Sequence, residues 1–411
     1  MLEQIAPLSK TLLRLRNRHF KRYLSKAPNF TNRFCILIGQ RGIGKTTIIT
    51  QYLSDIAQKQ EKTLPVLYVQ ADHFLVSQSS LYRIAEEFYN HGGAVLAIDE
   101  IHKYPNWSME LKSIYDTFTN LQIIASGSSA LEITKGSHDL SRRALVSTMY
   151  GMSFREFIEL HTDCTLDSYS LESLLYNHGT ISDVILETLE KKGLKVLELF
   201  KRYLEHGYYP YYLEHPDTKD FYVTLEQSVR TTLESDLPAI HRTLTGTSIY
   251  NIRKLLAVIS ASVPFTPDLK HLKELIGIRD ERTLKHYLHL LEDAGIILSV
   301  PKFGKGLRSM EKPAKIYLNN TNLCYALSGL EQPNIGAVRE TFFMSMLRTK
   351  HTVAVPQYGD FIIDNTYTFE IGGKHKNKKQ VYSSELAWVV RDGIEVGHER
   401  ILPLWLLGFL Y

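Results

Sequence analysis

The feature that most constrains this chain is one glycine-rich segment, Gly39-Gln40-Arg41-Gly42-Ile43-Gly44-Lys45-Thr46-Thr47. It follows the apolar run Phe34–Ile38 and leads into the helical pattern Thr46–Gln58, and it matches G-x-x-x-x-G-K-[ST]. The glycines let the backbone curl so that successive N–H groups point inward at an anion, and a helix opening near Lys45 adds its positive end. In that arrangement Lys45 reaches the β- and γ-phosphates of a nucleotide and the Thr46 hydroxyl holds Mg²⁺. Gly39, Gly42 and Gly44 carry the tight turns, with Gln40, Arg41, Ile43 and Thr47 completing the nucleotide-contacting segment. A plain glycine-rich turn with an exposed lysine is the alternative. The strand before and the helix after favour the phosphate cradle.

A second half-site lies 54 positions after Lys45, where Val95-Leu-Ala-Ile-Asp99-Glu100 reads as a buried strand ending in two carboxylates. Asp99 is placed to hold Mg²⁺ and Glu100 to polarise an attacking water as general base. The strand Gln122–Ala125 then runs into Ser126-Gly-Ser-Ser129, where Ser128 or Ser129 would orient the water or touch the γ-phosphate. Arg142 and Arg143, ahead of a strand within Ala144–Tyr150, are candidates for stabilising transition-state charge in cis or across a subunit interface. A solvated arginine pair is the competing reading.

Apolar strands at Phe34–Ile38, Val66–Gln70, Ala94–Ile98 and Gln122–Ala125 alternate with helical stretches such as Leu81–Asn90. That alternation predicts a parallel sheet covered on both faces, an α/β domain over 34–152. The formal charge of +4 conceals an uneven distribution. Residues 1–33 hold eight Lys/Arg against Glu3 alone, a charge of +7, which leaves about −3 for the rest. This stretch reads as a basic helical arm. Residues 153–246 have helical spacing, for example Ile185–Leu199, and no clear strand; they read as a helical lid or linker. Cys35, Cys164 and Cys324 are too scattered for a disulfide framework or a zinc site. No run approaches the ~20 apolar residues of a membrane span, and no signal-peptide core opens the chain. A cytoplasmic location without membrane association is the expectation.

Ile98-Asp-Glu-Ile-His-Lys-Tyr-Pro-Asn-Trp107, Ala125-Ser-Gly-Ser-Ser129 and Met152-Ser-Phe-Arg-Glu-Phe157 resemble successive blocks of a prokaryotic AAA+-like P-loop ATPase family. Tyr203-Leu-Glu-His-Gly-Tyr-Tyr-Pro210 and Lys315-Ile-Tyr-Leu-Asn-Asn-Thr-Asn322 resemble its later blocks, so the similarity spans nearly the whole chain. The resemblance implies a P-loop NTPase parallel-sheet core joined to a C-terminal region of uncharacterised function. It implies Lys45 and Thr46 as nucleotide and Mg²⁺ contacts, Asp99 and Glu100 as metal and water residues, and Ser128 as a sensor-like position. ATP is favoured over GTP because the resemblance points there and no guanine-reading Asn-Lys-x-Asp follows.

Further on, helices at Ile249–Ser260, Leu269–Ile276 and Glu281–Ala294 precede strands Ile296–Val300 and Lys315–Leu318. This is the winged-helix plan, assigned to 247–320. Arg279, Arg282 and Lys285 on the recognition position, with Lys302, Lys305 and Arg308 on the wing, are candidate phosphate contacts. Asp280, Glu281, Glu292 and Asp293 on the same helix oppose a DNA backbone, so a protein-packing role competes. In 321–411, Glu340, Asp360 and Glu370 follow the order helix, strand, strand and resemble the PD-(D/E)xK nuclease fold. The lysine expected two residues after the second-strand acid is replaced by Gly372, and Lys374 is the nearest substitute. An inactive remnant is the expected outcome. The expectation for the whole is a Mg²⁺-dependent ATPase whose nucleotide state is coupled to a DNA- or protein-binding C-terminal module. The alternatives are a slow-turnover ATP-gated regulator or, less favoured, an ATP-dependent nuclease. DNA through the wing or the arm, an unidentified protein and a homo-oligomer are candidate partners.

Overall fold

A computed structural model describes residues 1–16, 18–26, 30–59, 65–127, 140, 142–241, 243–304, 313–329, 332–376 and 386–411. The chain divides into two compact units, Met1–Gly151 and Met152–Tyr411.

The first unit is built on five parallel strands: β1 (Phe34–Ile38), β2 (Val66–Gln70), β3 (Val95–Asp99), β4 (Gln122–Gly127) and β5 (Leu145–Thr148). Their order across the sheet is β2-β3-β4-β1-β5. Every residue of β1 and β3 is buried, which explains why both read as continuous apolar runs without alternation. Helices α1 (Leu2–Leu15), α2 (Lys45–Lys59), α3 (Leu81–Asn90) and α4 (Trp107–Thr117) belong to the same unit. Because all strands point one way, the end of β1 and the end of β3 emerge on one edge, where ligands of open α/β sheets bind.

Of the expected basic helical arm, Leu2–Leu15 form a helix and Tyr23–Lys26 a single 3-10 turn, and much of the described stretch is built into this domain. Leu2 and Ile5 of α1 lie in the sheet core with Ile36, Leu67 and Leu96. Arg22 is 3% exposed and donates to the carbonyls of Ile43 and Tyr150. Lys21 pairs with Asp55 at 2.6 Å, and the Arg33 guanidinium lies 3.5 Å over the Tyr115 ring. These charges are engaged within the fold, so the +7 of the arm overstates the charge it offers to a partner.

The second unit begins with helices Phe154–Thr162, Leu171–Tyr176, His178–Glu190 and Val196–His206. The continuous run expected over Ile185–Leu199 is broken near Gly193, whose φ of 68° is left-handed and ends the first helix. The helices Gly246–Ala261, Leu269–Ile276 and Glu281–Asp293 follow, then the antiparallel pair β6 (Ile297–Val300) and β7 (Lys315–Leu318). Gly277, at φ 84°, makes the turn between the last two helices, and Asp280 caps the second of them.

The remaining residues form a mixed sheet, β8 (Val353–Ala354), β9 (Phe361–Ile363), β10 (Tyr367–Gly372), β11 (Ala387–Arg391) and β12 (Ile401–Pro403). Their order is β12-β11-β10-β9-β8, with β10 parallel to β11 and antiparallel to β9. Phe154, Phe200, Phe342 and Trp405 pack edge-on into one aromatic core, which ties the first helix of the unit to its last segment. Among the described residues, no helix is long and apolar enough to cross a membrane.

Candidate nucleotide-binding site

The loop 39–44 leaves β1 and delivers Lys45 to the first turn of α2. Gly39 has no room for a side chain, because a Cβ there would overlap the Met149 carbonyl and lie 2.6 Å from Ile43 Cδ1. Gly42 and Gly44 adopt φ of 81° and 98°, a conformation that favours glycine. Ile43 is fully buried and its carbonyl is held by Arg22. The Lys45 ammonium is buried over the loop, donating to Gly39 O at 2.9 Å and Gln40 O at 2.8 Å. Thr46 and Thr47 complete the first turn, where Thr50 donates back to both their carbonyls.

Asp99, at the tip of β3, is 1% exposed and saturated with donors. Its Oδ2 accepts from Thr46 Oγ1 at 2.6 Å and from the Tyr68 hydroxyl at 2.7 Å. Its Oδ1 accepts from Ser126 Oγ and, at 3.1 Å, from the Glu100 amide. Glu100 takes a left-handed backbone, φ 53° and ψ 38°, which is costly for a non-glycine residue and turns its carboxylate away from the strand direction. That carboxylate lies 3.5 Å from His102 Nε2 and 3.9 Å from Lys103 Nζ. Its Oε2 is buried without a hydrogen-bond partner among the described residues. Burial pushes the Glu100 carboxyl up, against the opposing pull of the Lys45 ammonium.

Donor chemistry at the Thr46–Asp99 pair fits Mg²⁺, a hard cation that takes oxygen ligands and usually completes its shell with phosphate and water. No group of three or more His, Cys, Asp or Glu among the described residues is arranged to hold a metal unaided.

The sequence therefore brings together the loop, Lys45, Thr46, Asp99 and Glu100. Ser128 and Ser129 lie outside the described residues; Ser126, two positions earlier, is the serine of that run seen to touch Asp99. Arg143 is held in cis by both oxygens of Asp116, at 2.9 and 3.0 Å, while Arg142 is exposed. Tyr68, Ser126, Arg22 and Arg16 were not foreseen as site residues. Their roles depend on which strands are neighbours, and no local motif encodes that.

In the second unit, Glu340 accepts from the Tyr317 hydroxyl at 2.6 Å and lies 3.3 Å from Lys315 Nζ. Asp360 accepts from the Ile371 amide at 2.7 Å. Glu370 is 2% exposed and pairs with Lys376 at 2.7 Å. Lys374, the substitute expected from the sequence, is not the lysine that takes up the Glu370 carboxylate. The Lys376 side chain crosses the Gly372 face so closely that a Cβ at 372 would lie 2.6 Å from its Cβ and Cγ. A lysine four residues along fills the volume left by the missing one. On the helix Glu281–Asp293, Lys285 is paired with Glu281 at 2.9 Å and Arg282 is exposed. Lys305 and Arg308 lie outside the described residues.

A parallel sheet in this order, with a glycine loop after β1 and an acid pair at the tip of β3, defines an α/β core of the P-loop NTPase class. Residues 31–158 match the family model of the AAA domain, and residues 197–334 match that of a Domain of unknown function (DUF8612). The N-terminal part of the chain is thus similar to AAA domains, and the part that follows to a domain of unknown function. It is 28% identical to the uncharacterized protein MJ1637 of Methanocaldococcus jannaschii, over 91% of this chain and 84% of that protein. Solved structures with some likeness include the replication initiator DnaA bound to AMPPCP and single-stranded DNA, at 15% identity and TM-score 0.32. That alignment covers 70% of this chain and 88% of the DnaA chain. Cdc6p from Pyrobaculum aerophilum aligns at 12% identity and TM-score 0.26, over 79% of this chain and 91% of its own. At those TM-scores the assignment rests on the sheet order, the loop and the family model.

Proposed function

We propose that the chain is a Mg²⁺-dependent ATPase that hydrolyses ATP to ADP and phosphate. The observation that carries this reading is the direct contact between Thr46 and Asp99, with Lys45 and Glu100 beside it. Lys45 would exchange its two loop carbonyls for phosphate oxygens, and the loop amides would hold the remaining charge. Thr46 and Asp99 would hold Mg²⁺, which when bound neutralises charge on the phosphates. Glu100 would orient a water for in-line attack on the γ-phosphate and accept its proton. Its raised proton affinity suits a base. Ser128 is retained as the sensor-like residue of this proposal, and Arg142 as the candidate transition-state cation, since Arg143 is already paired with Asp116.

The module 247–320 is proposed as a winged helix, supported by three helices followed by an antiparallel pair. The reading assigns residues 153–246 the role of lid and 321–411 that of a nuclease-like remnant without cleavage. DNA contact through Arg282 and the wing, and assembly into a homo-oligomer, belong to the same proposal.

A second reading, a slow ATP-gated switch, draws support from Glu100 itself. Its carboxylate lies within ion-pair distance of His102 and Lys103, neighbours that compete with a water for it and suit slow turnover. Steady-state ATP hydrolysis with and without duplex DNA separates the two. Turnover that rises with DNA favours the motor, whereas slow turnover indifferent to DNA but nucleotide-dependent DNA retention favours the switch. No Mg²⁺-dependent turnover and no nucleotide binding would remove both.

A further inference from the structure

One chain of hydrogen bonds runs from the N-terminal helix to the acid at the tip of β3. The Ser9 hydroxyl of α1 accepts from the Tyr68 amide on β2 at 2.8 Å. Arg16, at the C-cap of the same helix, donates from Nη1 to the Tyr68 hydroxyl oxygen at 3.2 Å. That hydroxyl donates to Asp99 Oδ2 at 2.7 Å. The polarity of this chain is fixed. A guanidinium only donates, so the Tyr68 oxygen accepts from Arg16 and its single proton goes to Asp99. Tyr68 is 1% exposed, so its hydroxyl is committed to these two partners and not to solvent.

Asp99 Oδ2 has two side-chain donors, Thr46 and Tyr68. A hydroxyl can give a lone pair to a metal and still donate its proton, so Thr46 and Tyr68 both remain donors to that oxygen, and Tyr68 is the one supplied from outside the glycine loop and its helix. A carboxylate this deeply buried depends on each donor for both its charge and its orientation, and charge-assisted bonds are the strong ones. We propose that Tyr68 is a positioning residue for Asp99, and that Arg16 makes the docking of the N-terminal helix part of how tightly Mg²⁺ is held beside the nucleotide. This inference rests on the reading of Asp99 as the Mg²⁺-side carboxylate. The N-terminal helix is then a component of the nucleotide site, and anything that lifts it from β2 loosens the site at a distance.

The test is binding, not turnover: a fluorescent non-hydrolysable ATP analogue titrated onto the full chain, first in EDTA and then across a Mg²⁺ series. Tyr68→Phe is expected to bind the analogue in EDTA as the wild type does, with its half-saturating Mg²⁺ raised roughly three- to ten-fold, the scale of a lost hydrogen bond to a charged group. Arg16→Ala should move the same way by less, and Arg16→Lys should restore most of the loss. Arg16→Ala, a change at the helix end, keeps the test open if Tyr68→Phe folds poorly. Asp99→Asn serves as reference. A wild type indifferent to Mg²⁺ and matched by Asp99→Asn would overturn the underlying reading, and this inference with it. A wild type that differs from Asp99→Asn, with Tyr68→Phe and Arg16→Ala both following the wild type, overturns this inference alone. Equal weakening in EDTA and in Mg²⁺ also overturns it, since Tyr68 would then merely support the sheet.

Discussion

The Thr46 hydroxyl and the Asp99 carboxylate, 53 positions apart in the chain, are joined by a hydrogen bond of 2.6 Å. β4 separates β1 from β3 in the sheet, so the contact comes from the first turn of α2 leaning over the shared strand ends. Thr46→Ala should leave metal-free nucleotide binding nearly intact and weaken the Mg²⁺-bound complex by roughly tenfold, a loss of about 1.4 kcal/mol. Isothermal titration with ATP analogue, with and without Mg²⁺, measures both numbers. Equal affinities for Thr46→Ala and wild type in Mg²⁺ would count against the assigned metal pair.

Gly39 is held to glycine by contact as well as by conformation. A methyl group there would meet the Met149 carbonyl and Ile43 Cδ1, and the neighbouring backbone has to shift. Gly39→Ala is expected to cost about 1–3 kcal/mol of stability in the first unit, typical of overpacking. Nucleotide affinity should fall with it. Urea denaturation followed by near-ultraviolet dichroism gives the first quantity, and an unchanged midpoint would mean that the loop yields at no cost.

The acidic pocket in the second unit depends on Lys376 rather than Lys374. Burial of the Glu370 carboxylate is tolerable because the Lys376 ammonium sits 2.7 Å away, and that bond raises the proton affinity of Lys376. Lys376→Ala leaves the acid uncompensated and should destabilise by roughly 1–3 kcal/mol. That is less than a fully buried pair would lose, because Lys376 remains partly solvated. Lys374→Ala should be within about 0.5 kcal/mol of the wild type, as ordinary surface changes are. Comparable losses from both substitutions would contradict the pairing.

Acid should unfold the second unit in a way traceable to two histidines. Burial, followed by the nearby Arg202 and His161, pulls His206 down to about 4 from its ordinary 6.5. Burial also lowers His161. A histidine with a depressed folded value takes protons more readily when unfolded, so its contribution is intact above about pH 6.5 and drains away toward pH 4. Urea midpoints measured across that window should fall with pH, and His206→Phe should flatten the slope. A slope unchanged in His206→Phe would assign the acid sensitivity elsewhere.

How much the sequence discloses depends on the range over which each feature is encoded. The first four strands of the first unit were legible because each contains a buried apolar run, whereas β5, Leu145–Thr148, is short and mostly exposed; Leu81–Asn90 was legible because its buried residues recur at helical spacing. The glycine loop and the Asp99-Glu100 pair were legible because their chemistry is local. The break at Gly193 was not, since the apolar rhythm carries on across it. Neither were Tyr68 and Ser126: each looks like any buried strand residue until the sheet order sets β2 and β4 on either side of β3. The pairing of Glu370 with Lys376 rather than Lys374 was hidden for the same reason, because only the turn after β10 brings the later side chain back over Gly372.

The central claim is nucleotide hydrolysis at Lys45, Thr46, Asp99 and Glu100. ATP turnover and ATP binding measured side by side on wild type, Lys45→Ala and Glu100→Gln test it most directly. The expected result is Mg²⁺-dependent turnover in the wild type, loss of both binding and turnover in Lys45→Ala, and retained binding with turnover reduced by roughly a hundredfold or more in Glu100→Gln. Glu100→Gln turning over ATP at the wild-type rate, or Lys45→Ala binding it undiminished, would contradict the account.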